Sequence, residues 1–243
     1  MTAVCSLALV LMLPAMLPAE ESKASPVGKK IADFTLRDYR GAERSLKEFT
    51  QHKLVVVAFL GCECPVAKLY GARLAELAKE YEAKSVAFVG INSNQQDGVS
   101  AIAHYTRAHK IEFPVLKDVG NVVADLFGAE KTPEVFVLDS QGVIRYAGRV
   151  DDQYGIGYTR PKPEHRDLVA ALDELLDGKP VTTARTETQG CFIGRVRQPA
   201  KDGKVTYSKQ IARILQNRCV ECHHPGAIGP FSLTRYEDAA GWA

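Results

Sequence analysis

Cysteine is the residue type in this chain whose spacing most clearly indicates chemistry. A single residue separates Cys62 from Cys64, and Cys64 directly precedes Pro65. A long apolar run lies before this motif. A thiolate is the nucleophilic form of cysteine, and the unpaired N–H groups at the start of a helix lower the pKa of a thiol. Pro65 suits the first position of a helix, where its missing N–H is not needed. The pattern predicts a reactive thiol at Cys64, at a helix start that we expect to be exposed.

A second group of cysteines precedes a histidine with the spacing Cys-x-x-Cys-His, in Cys219, Cys222 and His223. This is the attachment signature of c-type haem, in which two thiols hold the porphyrin and the adjacent imidazole becomes an iron ligand. We therefore predict haem c on these three residues, with His223 as the metal ligand. A zinc site that includes His224 and a simple redox pair are the alternatives. The zinc site lacks a fourth ligand at a recognised spacing, and a redox pair leaves the histidine unexplained.

Apolar periodicity predicts the elements that position these cysteines. The β-branched run from Leu54 to Leu60 is typical of a central strand covered on both faces, and apolar residues recur at helical spacing after Pro65. Further strands are predicted at 31–38, 86–91, 134–138 and 143–146, and helices at 45–49, 99–109, 122–127 and 168–176. A polar loop is predicted at 92–97, and a loop rich in Tyr, Gly and Pro at 150–163. Strands that alternate with helices and then form a hairpin indicate parallel pairing with an antiparallel edge.

Three features resemble the redoxin branch of the thioredoxin superfamily, the alkyl hydroperoxide reductase/thiol-specific antioxidant (AhpC/TSA) group. They are the buried strand that runs into Cys64-Pro65, the Thr132-Pro133 pair before the hairpin, and the lead-in from Ile31 to Leu46. The resemblance implies an α/β, thioredoxin-like fold with a central mixed sheet flanked by helices. It also implies that Pro133 is a cis-proline opposite the redox cysteine, and that Thr132 and Pro133 orient a thiol substrate.

Two cysteines are candidate partners of Cys64. A Cys62–Cys64 disulfide would close a tight and therefore strained, oxidising ring. Cys191 lies in a Gly-Cys-x-Ile element that resembles one often carried late in redoxins. That resemblance implies either a resolving disulfide with Cys64 or a purely structural one. Both pairings stay open at this point.

The motif around Cys64 departs from the two redox patterns of the superfamily. Gly61 replaces the first cysteine of Cys-x-x-Cys, and it also replaces the Thr or Ser that a peroxiredoxin needs; Val57 stands where the peroxiredoxin proline would be. We therefore expect a thiol–disulfide oxidoreductase with a thiol or disulfide substrate, coupled through the haem to an electron-transfer partner. A thiol peroxidase with antioxidant activity and a non-catalytic redox-relay or docking module are the alternatives.

The N-terminus predicts export. Residues 4–17 are almost wholly apolar but too short to span a bilayer, and small residues precede a switch to polar sequence after Ala19. A signal peptide implies the periplasm or another extracytoplasmic compartment, where disulfides persist. An uncleaved membrane anchor is the alternative.

The expected organisation is a signal peptide at 1–19, a redoxin domain at 26–180, a linker with Cys191 at 181–206, and an incomplete, short helical cytochrome c-like segment at 207–243. The few residues after His223 suggest a fragment of a larger protein. Asp151 and Asp152 either shape a substrate groove near Pro133 or lie in a solvated loop. The net charge of +2 gives no case for a nucleic-acid or membrane-surface partner.

Overall fold

The computed structural model describes residues 25–196, 203–229 and 231–240, so the predicted signal peptide lies outside the described residues. The strands are β1 (Thr35–Asp38), β2 (Glu43–Ser45), β3 (Leu54–Phe59), β4 (Val86–Asn92), β5 (Val115–Lys117), β6 (Lys131–Thr132), β7 (Glu134–Asp139), β8 (Ile144–Gly148), β9 (Tyr154–Gly155), β10 (Tyr158–Thr159) and β11 (Cys191–Phe192). The helices are α1 (Pro65–Glu82), α2 (Val99–Ala108), α3 (Val122–Phe127), α4 (Asp167–Leu176), α5 (Ala212–Arg218) and α6 (Tyr236–Ala240). Short 3₁₀ turns cover Leu46–Phe49 and Val119–Asn121, and a π-helical turn covers Tyr207–Ile211.

Seven strands form one mixed sheet in the order β2-β1-β5-β4-β3-β7-β8. β3 pairs in parallel with β4 and antiparallel with β7, and all of its residues are buried. The β-branched run therefore forms a central strand, as predicted, because both of its faces are covered. The β7–β8 hairpin gives the predicted antiparallel edge.

Helices cover both faces of this sheet. On one face, Tyr70 of α1 and Leu172 of α4 belong to the same buried core. On the other face, an aromatic cluster joins α3 to the sheet: Phe59, Phe127 and Phe136 have ring centroids 5.2 to 5.6 Å apart. The two cores confirm the α/β architecture with a central mixed sheet and flanking helices.

The predicted first strand is shorter than expected. It begins at Thr35 instead of Ile31, because the residues before it attach to the β7–β8 turn. The Ile31 N–H donates to the Gly142 carbonyl at 2.8 Å, and Lys30 bridges Val143. The alternation of apolar residues in this stretch therefore reflects two separate attachments.

The first part of the predicted linker is packed on the domain. Arg185 bridges Ala147 in parallel, and the Thr186 hydroxyl accepts the Arg149 N–H at 3.0 Å. Further on, Ile193 is only 5% exposed, and β11 pairs with β6. Residues 181–196 are therefore an extension of the domain that returns to the sheet.

Beyond residue 203, the chain forms the π-helical turn, α5, the Cys-x-x-Cys-His turn and α6. The helix predicted before Cys219 is present as α5, and Thr206 caps the preceding turn by accepting the Lys209 N–H. Within the described residues, none of the helices has the length and apolar character needed to cross a bilayer.

Candidate functional site

Cys64 lies where the sheet meets the first helix. β3 ends at Phe59, and Cys64 is the N-cap of α1, with Pro65 at the first helical position. The thiol is buried, at 4% exposure, and donates to the Thr132 carbonyl at 3.0 Å. The helix start was predicted correctly, but the expectation that it is an exposed place is wrong, because later segments of the chain cover it.

The surroundings of Cys64 favour its thiolate. Burial on its own raises the pKa, but hydrogen bonds from the Ala67 N–H and from the thiol and N–H of Cys191 outweigh it, and the net pKa of Cys64 is lowered. The Thr132 hydroxyl adds to this effect. It is buried and finds no partner within the described residues while Cys64 is protonated, so it is available to a thiolate.

Cys191 is the cysteine that contacts Cys64. It lies in β11, whose antiparallel register pairs Cys191 with Thr132 and Phe192 with Lys131. The side chain is exposed. Burial of the sulfur, and then the hydrogen bond to Cys64 and the Cys64 charge, raise the pKa of Cys191 to about 11. The pair therefore combines a buried cysteine whose pKa is lowered with a more exposed cysteine whose pKa is raised.

The backbone between β6 and β7 lies beside the Cys64 sulfur. The Thr132–Pro133 peptide bond is cis, as the resemblance implied. Space is tight here: a Cβ on Gly61 would lie 2.6 Å from Asn94 Nδ2 and 2.7 Å from Thr132 Oγ1. A larger residue at position 61 would have to displace these neighbours. The site therefore suits a glycine better than the cysteine of a Cys-x-x-Cys motif or the threonine of a peroxiredoxin.

Cys62 faces a different environment from Cys64. Its N–H donates to Asp97 Oδ2 at 2.8 Å, and its sulfur lies 3.5 Å from Asn92 Nδ2. Burial, followed by the Asp97 carboxylate, raises the pKa of Cys62 to about 12. Of the two candidate partners, therefore, Cys191 contacts Cys64 and Cys62 is held as a protonated thiol among polar side chains.

The polar network around Asp97 was missed from the sequence. Asn92 and Asn94 both donate to Asp97 Oδ2, at 2.8 and 3.0 Å, and Lys117 donates to Asn92 Oδ1 at 3.1 Å. Burial lowers the pKa of Lys117. The predicted polar loop is present after β4, but most of its residues are buried, and it supports the Cys62–Cys64 turn. The available signal was that these polar residues directly follow a buried strand.

Asp151 and Asp152 do not lie in a solvated loop. Both are 3% exposed, and Asp151 accepts from the Tyr70 hydroxyl at 2.7 Å and from Arg73. Arg73 also donates to Gln153 at 2.6 Å. These contacts hold the segment after β8 against α1 and stabilise the position of that helix.

The Cys-x-x-Cys-His residues form a compact turn after α5. The Cys222 and His223 N–H groups donate to the Cys219 carbonyl at 3.1 and 2.9 Å, and Cys222 is exposed while Cys219 is half-buried. His223 Nδ1 lies 3.1 Å from the Phe231 carbonyl oxygen. A histidine whose Nδ1–H is held by a backbone carbonyl presents Nε2 to a metal. The donor set and the imidazole orientation therefore fit a c-type haem.

Comparison with known proteins indicates the family to which the domain is similar. The AhpC/TSA family model matches residues 27–147. A hypothetical protein from Sinorhizobium meliloti 1021 is 33% identical, with a TM-score of 0.65, over 71% of this chain and 96% of that one.

Two curated relatives match less of the chain. The chloroplastic peroxiredoxin Q of Oryza sativa subsp. japonica is 28% identical over 49% of this chain and 57% of its own length. The thiol-disulfide oxidoreductase ResA of Halalkalibacterium halodurans is 26% identical over 48% of this chain and 65% of its own length. The chain thus spans less than two thirds of these two relatives. With the thioredoxin-like sheet and the family match, the chain belongs to the AhpC/TSA family of redoxins.

Proposed function

We propose that the domain is a thiol–disulfide oxidoreductase whose redox pair is Cys64 and Cys191. The observation that carries this proposal is the contact between two thiols with opposite pKa shifts, one lowered and one raised to about 11. A helix-start cysteine with a lowered pKa is the recurring nucleophile of thiol chemistry. The similarity to the thiol-disulfide oxidoreductase ResA supports the same reaction class.

The reduced state of this pair is the stabilised one. Cys64 as a thiolate accepts hydrogen bonds from the Ala67 N–H, the Cys191 thiol and the Thr132 hydroxyl. Stabilising the reduced form makes the disulfide a stronger oxidant. We therefore propose that the oxidised protein accepts two electrons from a dithiol substrate. Thr132 and Pro133 form the wall beside the Cys64 sulfur and position the reacting atoms.

An extracytoplasmic location belongs to this proposal. The apolar N-terminal segment predicts export, and an oxidising compartment would keep a Cys64–Cys191 disulfide formed. Fractionation of cells that express the full chain tests the location. A processed protein outside the cytoplasm supports it, and an unprocessed cytoplasmic protein contradicts it.

A single-turnover assay tests the reaction. Oxidised full-length protein is mixed with dithiothreitol, quenched with acid and alkylated, and the thiols released are mapped by peptide mass. The C64S and C191S variants should lose the rapid two-thiol release, and C62S, the matched control, should keep it. Loss of the release in C62S but not in C191S would contradict the pairing. A wild-type bond that resists mild reductant would instead indicate a structural disulfide in a docking module.

Thiol peroxidase activity is a second candidate, favoured by the similarity to peroxiredoxin Q. A peroxidase would form a sulfenate on Cys64, which Cys191 would then resolve. Gly61 brings no hydroxyl to the position where a peroxiredoxin has one. Dimedone trapping after addition of hydrogen peroxide tests this candidate: rapid labelling of Cys64 supports it, and slow labelling at the rate of a free thiol excludes it.

We also propose that Cys219, Cys222 and His223 bind haem c. When bound, the haem supplies one-electron transfer. Cys222 is exposed and Cys219 is half-buried, and the Phe231 carbonyl orients the imidazole of His223. This part of the chain would therefore pass electrons between the redox domain and an electron-transfer partner.

Expression of the full chain with haem-attachment machinery tests the haem. The wild-type protein should carry haem mass on the Cys219–Cys222 peptide, C219S and C222S should lose it, and the matched control H224A should retain it. A protein that binds stoichiometric zinc and no haem would contradict the proposal.

A further inference from the structure

The unusual feature of the redox pair is that Cys191, and not the helix-start Cys64, is its more exposed residue. Cys64 is 4% exposed and its sulfur contacts the Thr132 carbonyl, whereas Cys191 in β11 is an exposed residue. In thiol–disulfide exchange, the outcome depends on which sulfur the attacking thiolate reaches and on which sulfur leaves. Both factors can be read from this pair.

The route to Cys64 is blocked by the protein's own chain. β11 pairs with β6 in a register that places Cys191 opposite Thr132, and the Ile193 N–H donates to the Glu130 carbonyl at 2.8 Å. This pairing uses the backbone edge next to Pro133. An extended partner segment therefore cannot pair with Thr132 while β11 is in place.

The leaving-group preference points the same way. The pKa of Cys64 is lowered, and the pKa of Cys191 is raised to about 11. The thiol with the lower pKa is the better leaving group. Attack on the Cys191 sulfur expels Cys64 as its stabilised thiolate, whereas attack on the Cys64 sulfur would have to expel Cys191.

We propose that Cys191 is the sulfur attacked by the external dithiol partner, and that Cys64 is the internal leaving group. This rests on the proposed Cys64–Cys191 redox pair. The partner thiolate bonds to Cys191 Sγ, the Cys64–Cys191 bond breaks, and its electron pair stays on Cys64 Sγ. The second partner thiol gives its proton to water and attacks the first partner sulfur. Cys191 then leaves and takes up a proton. The partner is oxidised to a disulfide, and the protein is reduced to the Cys64 thiolate and the Cys191 thiol.

Trapping the first intermediate tests this assignment in the wild-type full chain. Oxidised protein is mixed with reduced glutathione as a monothiol probe, quenched with acid at increasing times, and alkylated with N-ethylmaleimide. Peptide mass analysis then locates glutathione, and the data are extrapolated to zero time. We expect glutathione on Cys191 and the alkyl group on Cys64, in an excess of about tenfold or more over the reverse pattern.

The outcomes separate this inference from the proposed function. Glutathione predominantly on Cys64 at the earliest times would overturn the assignment of Cys191 as the attacked sulfur, while leaving the Cys64–Cys191 redox pair intact. An oxidised protein in which Cys64 and Cys191 are not linked, or whose bond does not exchange, would overturn the proposed function itself.

Discussion

Gly190 controls whether β11 can hold Cys191 against Cys64. Its φ angle is +153°, which side chains rarely adopt, and a Cβ added there would lie 2.8 Å from the Thr132 carbonyl carbon and nearer still to its oxygen. Real Cβ atoms essentially never come closer than 3.0 Å. The obstacle is backbone, which cannot rotate away. Gly190→Ala should therefore push β11 off β6.

The size of the effect follows from what holds β11 in place. The ladder pairs only two residues on each strand and is continued by the Ile193 N–H. At about 1 kcal/mol for each backbone hydrogen bond, the ladder contributes about 2–3 kcal/mol. A non-glycine residue in such a conformation costs about 1–3 kcal/mol before the clash is added. The attached state should become a minor one, and closure of the Cys64–Cys191 disulfide should slow about ten- to a hundredfold.

Gly194→Ala is the matched control. It lies in the same segment, but the group that its Cβ would meet is the end of the Gln96 side chain, which can rotate away. The assay adds oxidised glutathione to each reduced protein, quenches with acid, and measures the ratio of internal disulfide to glutathione adduct. G190A should accumulate the adduct, and G194A should behave as wild type. Equal closure in G190A and wild type, or an equal loss in both variants, would refute the reasoning.

Three further predictions concern stability and reactivity. Asp97→Ala should lower the free energy of unfolding in urea by about 3–5 kcal/mol, because three buried N–H donors lose a charged acceptor; a loss below 1 kcal/mol would contradict this. In the reduced protein, the alkylation rate of Cys64 should rise with pH, with a midpoint below pH 9.0, because the pKa of this thiol is lowered in the folded state. The stability that the Cys64 thiolate adds relative to C64S should be present above pH 9.0 and be lost as the pH falls through the folded-state pKa. A midpoint at or above pH 9.0 would show that burial dominates the pKa. Arg73→Ala should lower the free energy of unfolding by about 2–3 kcal/mol, because it leaves the buried Asp151 carboxylate without its ion pair. Lys68→Ala, which removes an exposed ion pair, should lower it by less than about 1 kcal/mol. Equal losses would show that the Arg73–Asp151 contact does not stabilise the fold more than an exposed pair does.

The sequence predicts the sheet and α1 well because their signals are local. The run from Leu54 to Leu60 is apolar throughout, as a central strand requires, and Pro65 marks the helix start. Cys64 could therefore be placed at the N-cap from its neighbours in the chain alone. The family resemblance supplied Pro133, which no local pattern indicates.

What the sequence leaves open depends on contacts between distant residues. The choice between Cys62 and Cys191 rests on the β6–β11 pairing, which joins residues about sixty positions apart through a two-residue ladder. The sequence does not reveal that Asp97 and Asp151 are buried, because polarity alone does not show whether a side chain finds buried hydrogen-bond partners. Burial of both depends on segments that return from elsewhere in the chain.

The most direct test is the disulfide connectivity of the oxidised wild-type protein. Peptide mapping without reduction, followed by differential alkylation after mild reduction, assigns the cysteines in one experiment. We expect a reducible Cys64–Cys191 bond and a free Cys62 that resists alkylation. A Cys62–Cys64 bond, or a Cys64 that remains a free and unreactive thiol, would contradict it.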